Sequence, residues 1–188
     1  MKVESTGIAG LLLITPQTYA DARGFFLESF QRERYRDAGI IEDFVQDNHS
    51  RSARHVLRGL HFQICRPQAQ IVSILRGTVF DVAVDLRRDS ATFGRWYGLE
   101  LSDRKQRQIY MAPGIAHGFC VLSELADLHY KVSQYYDAGD EGSVIWNDPD
   151  IGVEWPISDP ILAPKDAASP RLRDLPRDRL PHLAKAQG

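Results

Sequence analysis

The segment Val79-Phe80-Asp81-Val82-Ala83-Val84-Asp85-Leu86 carries the clearest structural signal in this chain. Apolar and small or acidic side chains alternate in it with a period of two, which is typical of a β-strand with two different faces. Turn signals at Arg76-Gly77 and Arg88-Asp89-Ser90 flank the segment, and similar runs continue from about residue 43 to 136. Many short strands with little helix between them predict an all-β protein, a double-sheet barrel or jelly roll.

The rest of the chain adds little regular structure to this prediction. A length of 188 residues suits one domain, residues 1–188, with a barrel core at about 43–136. Residues 30–40 indicate a short surface helix that ends near Gly39. Residues 166–188 carry prolines and alternating charges, and we expect a peripheral tail there, with one helical turn, rather than a second domain.

Composition narrows the function classes. The formal net charge of −2 does not support a broad nucleic-acid surface. The apolar run Leu11-Leu12-Leu13-Ile14 is too short for a membrane span or a signal peptide. Cys65 and Cys120 are thiols in a chain that is large enough to fold without disulfides, which indicates a reducing compartment. We therefore expect a cytoplasmic protein without a nucleic-acid or membrane partner.

His61 lies in the apolar run Val56-Leu57-Arg58-Gly59-Leu60-His61-Phe62-Gln63, where an imidazole needs a reason to be. In a regular strand, Gly59 and His61 would share a face, and a bulge at Gly59 would turn Arg58 toward the same cavity. An isolated histidine of this kind is more often a core residue bonded to a backbone carbonyl. The polar residues nearby favour a wet cavity instead: Gln46, Asn48, Arg58 and Gln63.

Two tyrosines and one carboxylate are further candidates. Tyr130 and Tyr136 are six residues apart, so a regular strand places them on one face, roughly 20 Å apart. Tyr130 could then act at the reacting centre while Tyr136 stacks on a distant aromatic part of the ligand; the alternative is two core or interface tyrosines. Asp166 could orient a histidine, although a Lys-Asp pair after a proline is more often a surface turn.

Several long motifs occur in an order that resembles one family, that of dTDP-4-dehydrorhamnose 3,5-epimerase. The similarity extends from residue 21 to 166, about four-fifths of the chain. Its motifs are Asp21–Ser29, Val45–Ser50, Leu57–His61, Phe80–Asp85, Ser90–Gly94, Ala116–Phe119, Tyr130-Lys131, Trp146–Pro149 and Lys165-Asp166. The resemblance implies a cupin-like jelly roll (a double-stranded β-helix) with a few short peripheral helices.

The resemblance also implies roles for individual residues. His61 would be the proton acceptor, paired with Asp166, and Tyr130 the proton donor, while Tyr136 would stack on thymine. The residues that would contact sugar or diphosphate are Arg23, Glu28, Gln46, Asn48, Arg58, Gln70, His117, Glu141 and Lys165. In the family, the segment with the arginine and the glutamate reaches the site of the neighbouring subunit, so a homodimer is implied.

The implied reaction is epimerisation of a nucleotide-linked 4-keto-6-deoxy sugar. dTDP-4-dehydro-6-deoxy-D-glucose would become dTDP-4-dehydro-L-rhamnose by inversion at C3 and C5. Carbons beside a ketone carry weakly acidic protons, so a base and an acid on opposite sides of the ring suffice, without a cofactor. The alternatives are a mono-epimerase of a related sugar, a metal-dependent cupin oxygenase or isomerase, and a catalytically silent binding module.

A metal centre is poorly supported by the sequence. Cupin-type barrels often bind a metal through His-x-His, a following acid and a later histidine. Here His61 is followed by Gln63 and Gln68, and His117 alone supplies a later imidazole. Two imidazoles without a carboxylate make a poor site, so we expect no metal.

Gln70 departs from the family pattern, which normally has a lysine at this position. An amide can still donate a hydrogen bond, but charge-assisted bonds are roughly twice as strong. Three interpretations stay open: Arg66 or another cation compensates, the enzyme acts on one carbon or another 4-keto sugar, or its activity is low.

Overall fold

The structure, a computed structural model, describes residues 1–182 of the chain. The strands within this range are β1 Lys2–Ser5, β2 Leu11–Thr15, β3 Thr18–Asp21, β4 Gly24–Leu27, β5 Gln46–Ala53, β6 Leu57–Gln63, β7 Gln70–Arg76, β8 Thr78–Asp85, β9 Trp96–Ser102, β10 Gln108–Met111, β11 Ile115–Val121, β12 Leu125–Val132 and β13 Glu141–Ser143. The α-helices are α1 Arg32–Asp37 and α2 Pro164–Ala167. Short 3-10 turns span Ala138–Asp140, Leu172–Asp174 and Arg177–Arg179.

Two antiparallel sheets form the body of the molecule. The larger has the order β1-β2-β10-β7-β12-β5, and the smaller has the order β13-β6-β11-β8-β9. Strands β3 and β4 make a separate hairpin. Apart from the consecutive pairs β1-β2 and β8-β9, neighbours in each sheet are distant in sequence, as in a jelly roll. The prediction of an all-β, cupin-like jelly roll with short peripheral helices is confirmed.

The alternation in β8 separates two hydrophobic clusters. Val79 and Ala83 face the cluster between the sheets, whereas Val82 and Val84 face a second cluster on the outer side of the smaller sheet. Because successive side chains of a strand point to opposite faces, a strand between two clusters has apolar residues on both faces. The period of two in the sequence thus reports a real division of the core.

The second cluster corrects the prediction of a peripheral tail. Leu172 and Leu180 are 9% and 6% exposed and pack with Leu60 and Phe62 of β6. The outer face of the smaller sheet is apolar and needs a cover, which this segment supplies. Residues 183–188 of the predicted tail lie outside the described residues. The sheets also extend beyond the predicted core of 43–136, since β1, β2 and β13 belong to them.

Helix α1 lies within the predicted range of 30–40 and packs on the outer face of the larger sheet. Tyr35 is 2% exposed there, and its hydroxyl donates to Gln108 Oε1 at 2.6 Å. The backbone turns out of the helix at Gly39, whose φ of +89° favours glycine. No helix within residues 1–182 has the length and apolar character needed to cross a membrane.

Candidate active site

A cavity of about 350 Å³ opens between the two sheets. The smaller sheet contributes His61, and the larger sheet contributes Tyr130 on the facing wall. The other predicted site residues that line this cavity are Gln46, Asn48, Arg58, Gln70, His117, Tyr136, Glu141, Lys165 and Asp166. The structure therefore brings together eleven of the thirteen predicted site residues, all but Arg23 and Glu28.

His61 is paired with Asp166. The distance from His61 Nε2 to Asp166 Oδ1 is 2.7 Å, and the carboxylate side chain is only 3% exposed. Burial raises the pKa of the Asp166 carboxyl, but the hydrogen bond and the charge of His61 outweigh burial and hold that pKa below its usual value. An ionised carboxylate only accepts hydrogen bonds, so a neutral His61 ring carries its proton on Nε2 and its lone pair on Nδ1.

The local sequence around Asp166 is more typical of a surface turn, but tertiary packing buries this residue. Pro164 begins helix α2, which places the Asp166 side chain inward beside β6 while Lys165 stays at the surface. His61 Nδ1 lies 4.0 Å from Glu141 Oε1 on the neighbouring strand β13. Lys165 Nζ donates to both oxygens of Glu141, at 3.0 and 3.1 Å, and partly neutralises that carboxylate.

Tyr130 faces the cavity from β12, between Asn48 of β5 and Val72 of β7 in the register of the larger sheet. Burial raises the pKa of its phenol above the ordinary value, and Arg58 opposes that effect. The phenol therefore keeps its proton at neutral pH. Lys131, the next residue, points outward and pairs with Asp47 at 2.7 Å, as its position on the opposite face predicts.

Tyr136 reaches the cavity by a different route from the one predicted. Strand β12 ends at Val132, so Tyr130 and Tyr136 do not share one regular strand. Tyr136 is 52% exposed at the cavity mouth, where its backbone N–H donates to Gln46 Oε1 at 3.2 Å. Its hydroxyl donates to Glu141 Oε2 at 3.2 Å. The premise of a continuous strand is wrong, although Tyr136 does line the same cavity as Tyr130.

A bulge at Gly59 turns Arg58 into the cavity, as predicted. Gly59 has a φ of +120°, and the pairing of β6 with β11 shifts register opposite it, between His117 and Phe119. A Cβ at Gly59 would lie 2.5 Å from Gly118 Cα, so only glycine fits this close approach. Arg58 Nε donates to Ser52 Oγ at 3.1 Å.

Sequence reasoning missed Asp81, which is fully buried behind the cavity. His117 Nε2 lies 2.9 Å from Asp81 Oδ2, so a second histidine is held by a carboxylate. A signal for Asp81 exists in the alternation of β8, because it shares a face with the core residues Val79 and Ala83. A carboxylate in such a row requires a partner.

Gln63 and Gln68, which stand where metal-binding cupins carry ligands, bond to the backbone instead. Gln63 exchanges hydrogen bonds with the backbone of Asp137, at 3.0 and 3.2 Å, and Gln68 Nε2 donates to Gln134 O at 2.9 Å. Among residues 1–182, no group of three or more His, Cys, Asp and Glu side chains is placed to hold a metal ion. Arg66 pairs with Asp137 at 2.6 Å and is 60% exposed, so it does not take the place of a cation beside Gln70.

Arg23 and Glu28 lie outside the cavity of their own chain. Arg23 sits at the tip of the β3–β4 hairpin, 90% exposed, and pairs with Asp21. Glu28 follows the hairpin and pairs with Arg34 of α1 at 2.7 Å.

Together, the fold and the cavity define a class of protein, the cupin-like jelly rolls with a histidine–carboxylate pair and a tyrosine in one cavity. Residues 5–174 match the family described as dTDP-4-dehydrorhamnose 3,5-epimerase. The chain belongs to the dTDP-4-dehydrorhamnose 3,5-epimerase family.

Individual relatives agree with this assignment. The dTDP-4-dehydrorhamnose 3,5-epimerase of Salmonella typhimurium is 48% identical over 92% of this chain and 96% of its own length. A dTDP-4-dehydrorhamnose 3-epimerase of Streptomyces niveus is 43% identical over 88% of this chain and 81% of its own. The crystal structure of a 3,5-epimerase from Legionella pneumophila in complex with dTDP-4-keto-L-rhamnose matches with a TM-score of 0.94 and 46% identity, covering 98% and 99% of the two chains.

Proposed function

We propose that this chain converts dTDP-4-dehydro-6-deoxy-D-glucose to dTDP-4-dehydro-L-rhamnose by inverting C3 and C5. The observation that carries the proposal is the placement of His61 and Tyr130 on facing sheets around one cavity. Inversion requires a proton to leave one face of the sugar and another to arrive at the opposite face. Family membership and the ligand bound by the Legionella relative support this substrate class.

In this mechanism, His61 Nδ1 takes the proton from the carbon beside the ketone. The electrons of the broken C–H bond move to O4 and form an enolate, which donors of the cavity stabilise. Tyr130 then gives its proton to the same carbon from the other side, and the enolate collapses back to the ketone. Solvent returns a proton to the phenolate and removes one from the imidazolium, so the enzyme ends unchanged. A second round inverts the other carbon.

Asp166 is a positioning residue in this scheme. Its carboxylate accepts the Nε2 proton of His61, which keeps the Nδ1 lone pair available, and it stabilises the imidazolium that forms. The lowered pKa of Asp166 keeps the carboxylate ionised across the neutral range.

The nucleotide end of the substrate lies at the mouth of the cavity in this proposal. The half-exposed ring of Tyr136 offers a face on which thymine stacks. The polar residues that would hold sugar and diphosphate are Gln46, Asn48, Arg58, Gln70, His117, Glu141 and Lys165.

We also propose that the chain acts as a homodimer in the cytoplasm. The β3–β4 hairpin exposes Tyr19, Phe25 and Phe26 at 63%, 60% and 69%, an unusual aromatic surface for a short arm. Insertion of this arm into a second copy would bring Arg23 and Glu28 to that copy's cavity. The free thiols of Cys65 and Cys120 suit a reducing compartment.

Solvent isotope exchange tests the proposal. Incubation with dTDP-4-dehydro-6-deoxy-D-glucose in heavy water is expected to place deuterium at both C3 and C5, read by NMR, together with the L-configured product. Exchange is expected to survive treatment with a chelator, which would stop a metal-dependent cupin. Binding of the substrate without deuterium at either carbon would contradict the proposal.

A further inference from the structure

The proton that His61 removes from the sugar needs a route out of the cavity. In the proposed function, His61 Nδ1 takes one proton at each of two inversions. The first inversion starts from a neutral ring, but the second cannot begin until Nδ1 has lost the proton of the first. A group that deprotonates His61 while the sugar is bound therefore decides whether both carbons invert in one binding event.

Asp166 does not provide this route. Its carboxylate is bonded to the other ring nitrogen, Nε2, at 2.7 Å, and its side chain is only 3% exposed. A proton passed to this side of the ring would meet an oxygen that bulk water barely reaches. The proton on Nδ1 therefore has to leave from the side of the ring that faces the cavity.

Glu141 lies on that side of the ring. Strand β13 runs antiparallel to β6, and Glu141 stands opposite Gln63, two residues along from His61. Glu141 and His61 are thus diagonal neighbours on one face of the smaller sheet, and Glu141 Oε1 is 4.0 Å from His61 Nδ1. One bridging water or a small rotation of the side chain closes a gap of this length. Among the described residues that line the cavity, the only carboxylates are those of Glu141 and Asp166.

The Glu141 carboxylate also connects the interior of the cavity to its mouth. Its Oε2 accepts from the Tyr136 hydroxyl at 3.2 Å, and both of its oxygens accept from Lys165 Nζ, at 3.0 and 3.1 Å. Tyr136 and the Lys165 side chain are each more than half exposed. A single carboxylate therefore extends from the ring of the base to groups that bulk water surrounds.

The ion pair with Lys165 prepares Glu141 to accept a proton. Burial lowers the pKa of the Lys165 ammonium, but its bonds to Glu141 outweigh burial and hold that pKa above its usual value. The lysine thus stays charged at neutral pH and keeps the ion pair intact. Because an ionised carboxylate only accepts, Glu141 enters each inversion as an acceptor.

We propose that Glu141 deprotonates His61 between the two inversions, an inference that rests on the proposed function. The Nδ1–H bond of the imidazolium breaks, its electrons return to Nδ1 as a lone pair, and the proton bonds to Glu141 Oε1, directly or through one water. Glu141 then releases this proton to bulk water at the mouth and is ionised again. His61 is neutral once more and takes the proton of the second carbon. Glu141 acts through His61 and does not contact the reacting carbons.

A single turnover in heavy water separates the two inversions, because each one places one deuterium in the sugar. With the enzyme in excess over dTDP-4-dehydro-6-deoxy-D-glucose, rapid quenching and mass spectrometry follow the singly and the doubly labelled sugar. Glu141→Gln keeps an oxygen for Lys165 and Tyr136, but an amide does not take up a proton at neutral pH. The first label is expected at a rate within about twofold of the wild-type rate, and the second about tenfold more slowly or worse.

The ratio of the second rate to the first distinguishes this role from a structural one. A misplaced base, weaker binding or a loss of folded protein slows the first inversion as much as the second. Glu154→Gln, at an exposed glutamate that does not line the cavity, is the control and is expected to keep both rates.

The same ratio in Glu141→Gln as in the wild-type chain would overturn the inference and leave the proposed function in place. If Glu141→Gln does not fold, the ratio in Glu141→Ala decides. Wild-type protein that introduces no deuterium at all would contradict the proposed function itself.

Discussion

At the scale of single residues, burial and pairing explain how the cavity is built. His61 points into an aqueous cavity from an apolar strand because Asp166 satisfies its Nε2 proton at 2.7 Å. Tyr130 stays protonated because burial raises its pKa. Asp166 thus leaves Nδ1 as the nitrogen of His61 that can take a proton. The buried hydroxyl of Tyr130 is the group that can give one.

Loss of the imidazole and loss of the stacking ring are expected to affect different steps. His61→Ala removes the base, so deuterium exchange at both carbons falls to the background rate while substrate binding changes little. Tyr136→Ala removes a stacking surface of about 1–3 kcal/mol, so affinity falls while exchange at saturating substrate persists. Titration calorimetry and NMR exchange measure the two effects; weakened binding as the main defect of His61→Ala would be inconsistent with its role.

At the scale of strands, the contact between β6 and β11 positions the face that carries His61. Gly59 lets the two backbones approach closely, and the bulge there directs Arg58 and His61 into one cavity. The sequence predicts this bulge because a glycine interrupts a mostly apolar, strand-like run. The end of β12 at Val132 was not predictable from the local pattern, since residues 133–136 continue its polar and aromatic character.

Gly59→Ala is expected to destabilise the fold and reduce exchange together. The new Cβ would lie 2.5 Å from Gly118 Cα and 2.7 Å from His117 O, on a backbone with a φ of +120°. Strain of this kind costs about 1–3 kcal/mol, so the free energy of unfolding in urea is expected to fall by about that amount. Gly152→Ala is the matched control: its φ is also positive, at +66°, but no atom lies within 4 Å, so it is expected to keep full exchange activity.

The outer face of β5 and β12 gives a pH-dependent contribution to stability. Arg51 donates to both oxygens of Asp127, at 2.7 and 2.9 Å, and lowers the pKa of that carboxyl to about 2. The pKa in the unfolded chain is about 3.9. As the pH falls from about 4 to about 2, the unfolded chain binds a proton here before the folded chain does, so the free energy of unfolding falls.

Asp127→Asn is expected to flatten this slope. The variant has lower stability at neutral pH, but its urea midpoint depends less on pH between about 4 and 2. Asp159→Asn, at an exposed carboxylate that has no ion pair within residues 1–182, is the control and is expected to keep the slope. An equally steep slope in Asp127→Asn would show that other groups cause it.

At the scale of the whole molecule, the sequence predicted the strands of the jelly roll better than the segments that cover them. The period of two in β8 was predictable because this strand separates the two apolar clusters of the jelly roll. Asp166 has no such local signal, since its burial depends on a C-terminal segment that covers β6 from outside. Its place in the site came from a family resemblance, and Asp81 was missed because its partner is 36 residues away.

The proposed exchange of arms between subunits predicts complementation. His61→Ala chains and Arg23→Ala chains are each expected to have little activity alone. In mixed dimers, one site carries both defects and the other carries none, so co-expression is expected to restore about a quarter of the activity in a two-fold symmetric dimer. Arg23 acting within its own chain would give no restoration.

The stereochemistry of exchange in Tyr130→Phe tests most directly whether His61 and Tyr130 flank the same sugar. Without the phenol, His61 still removes the C3 proton and returns a deuteron to the same face, so we predict deuterium at C3 with the original configuration. The wild-type chain is predicted to label C3 with inversion. Inverted product formed by Tyr130→Phe at the wild-type rate would contradict the account.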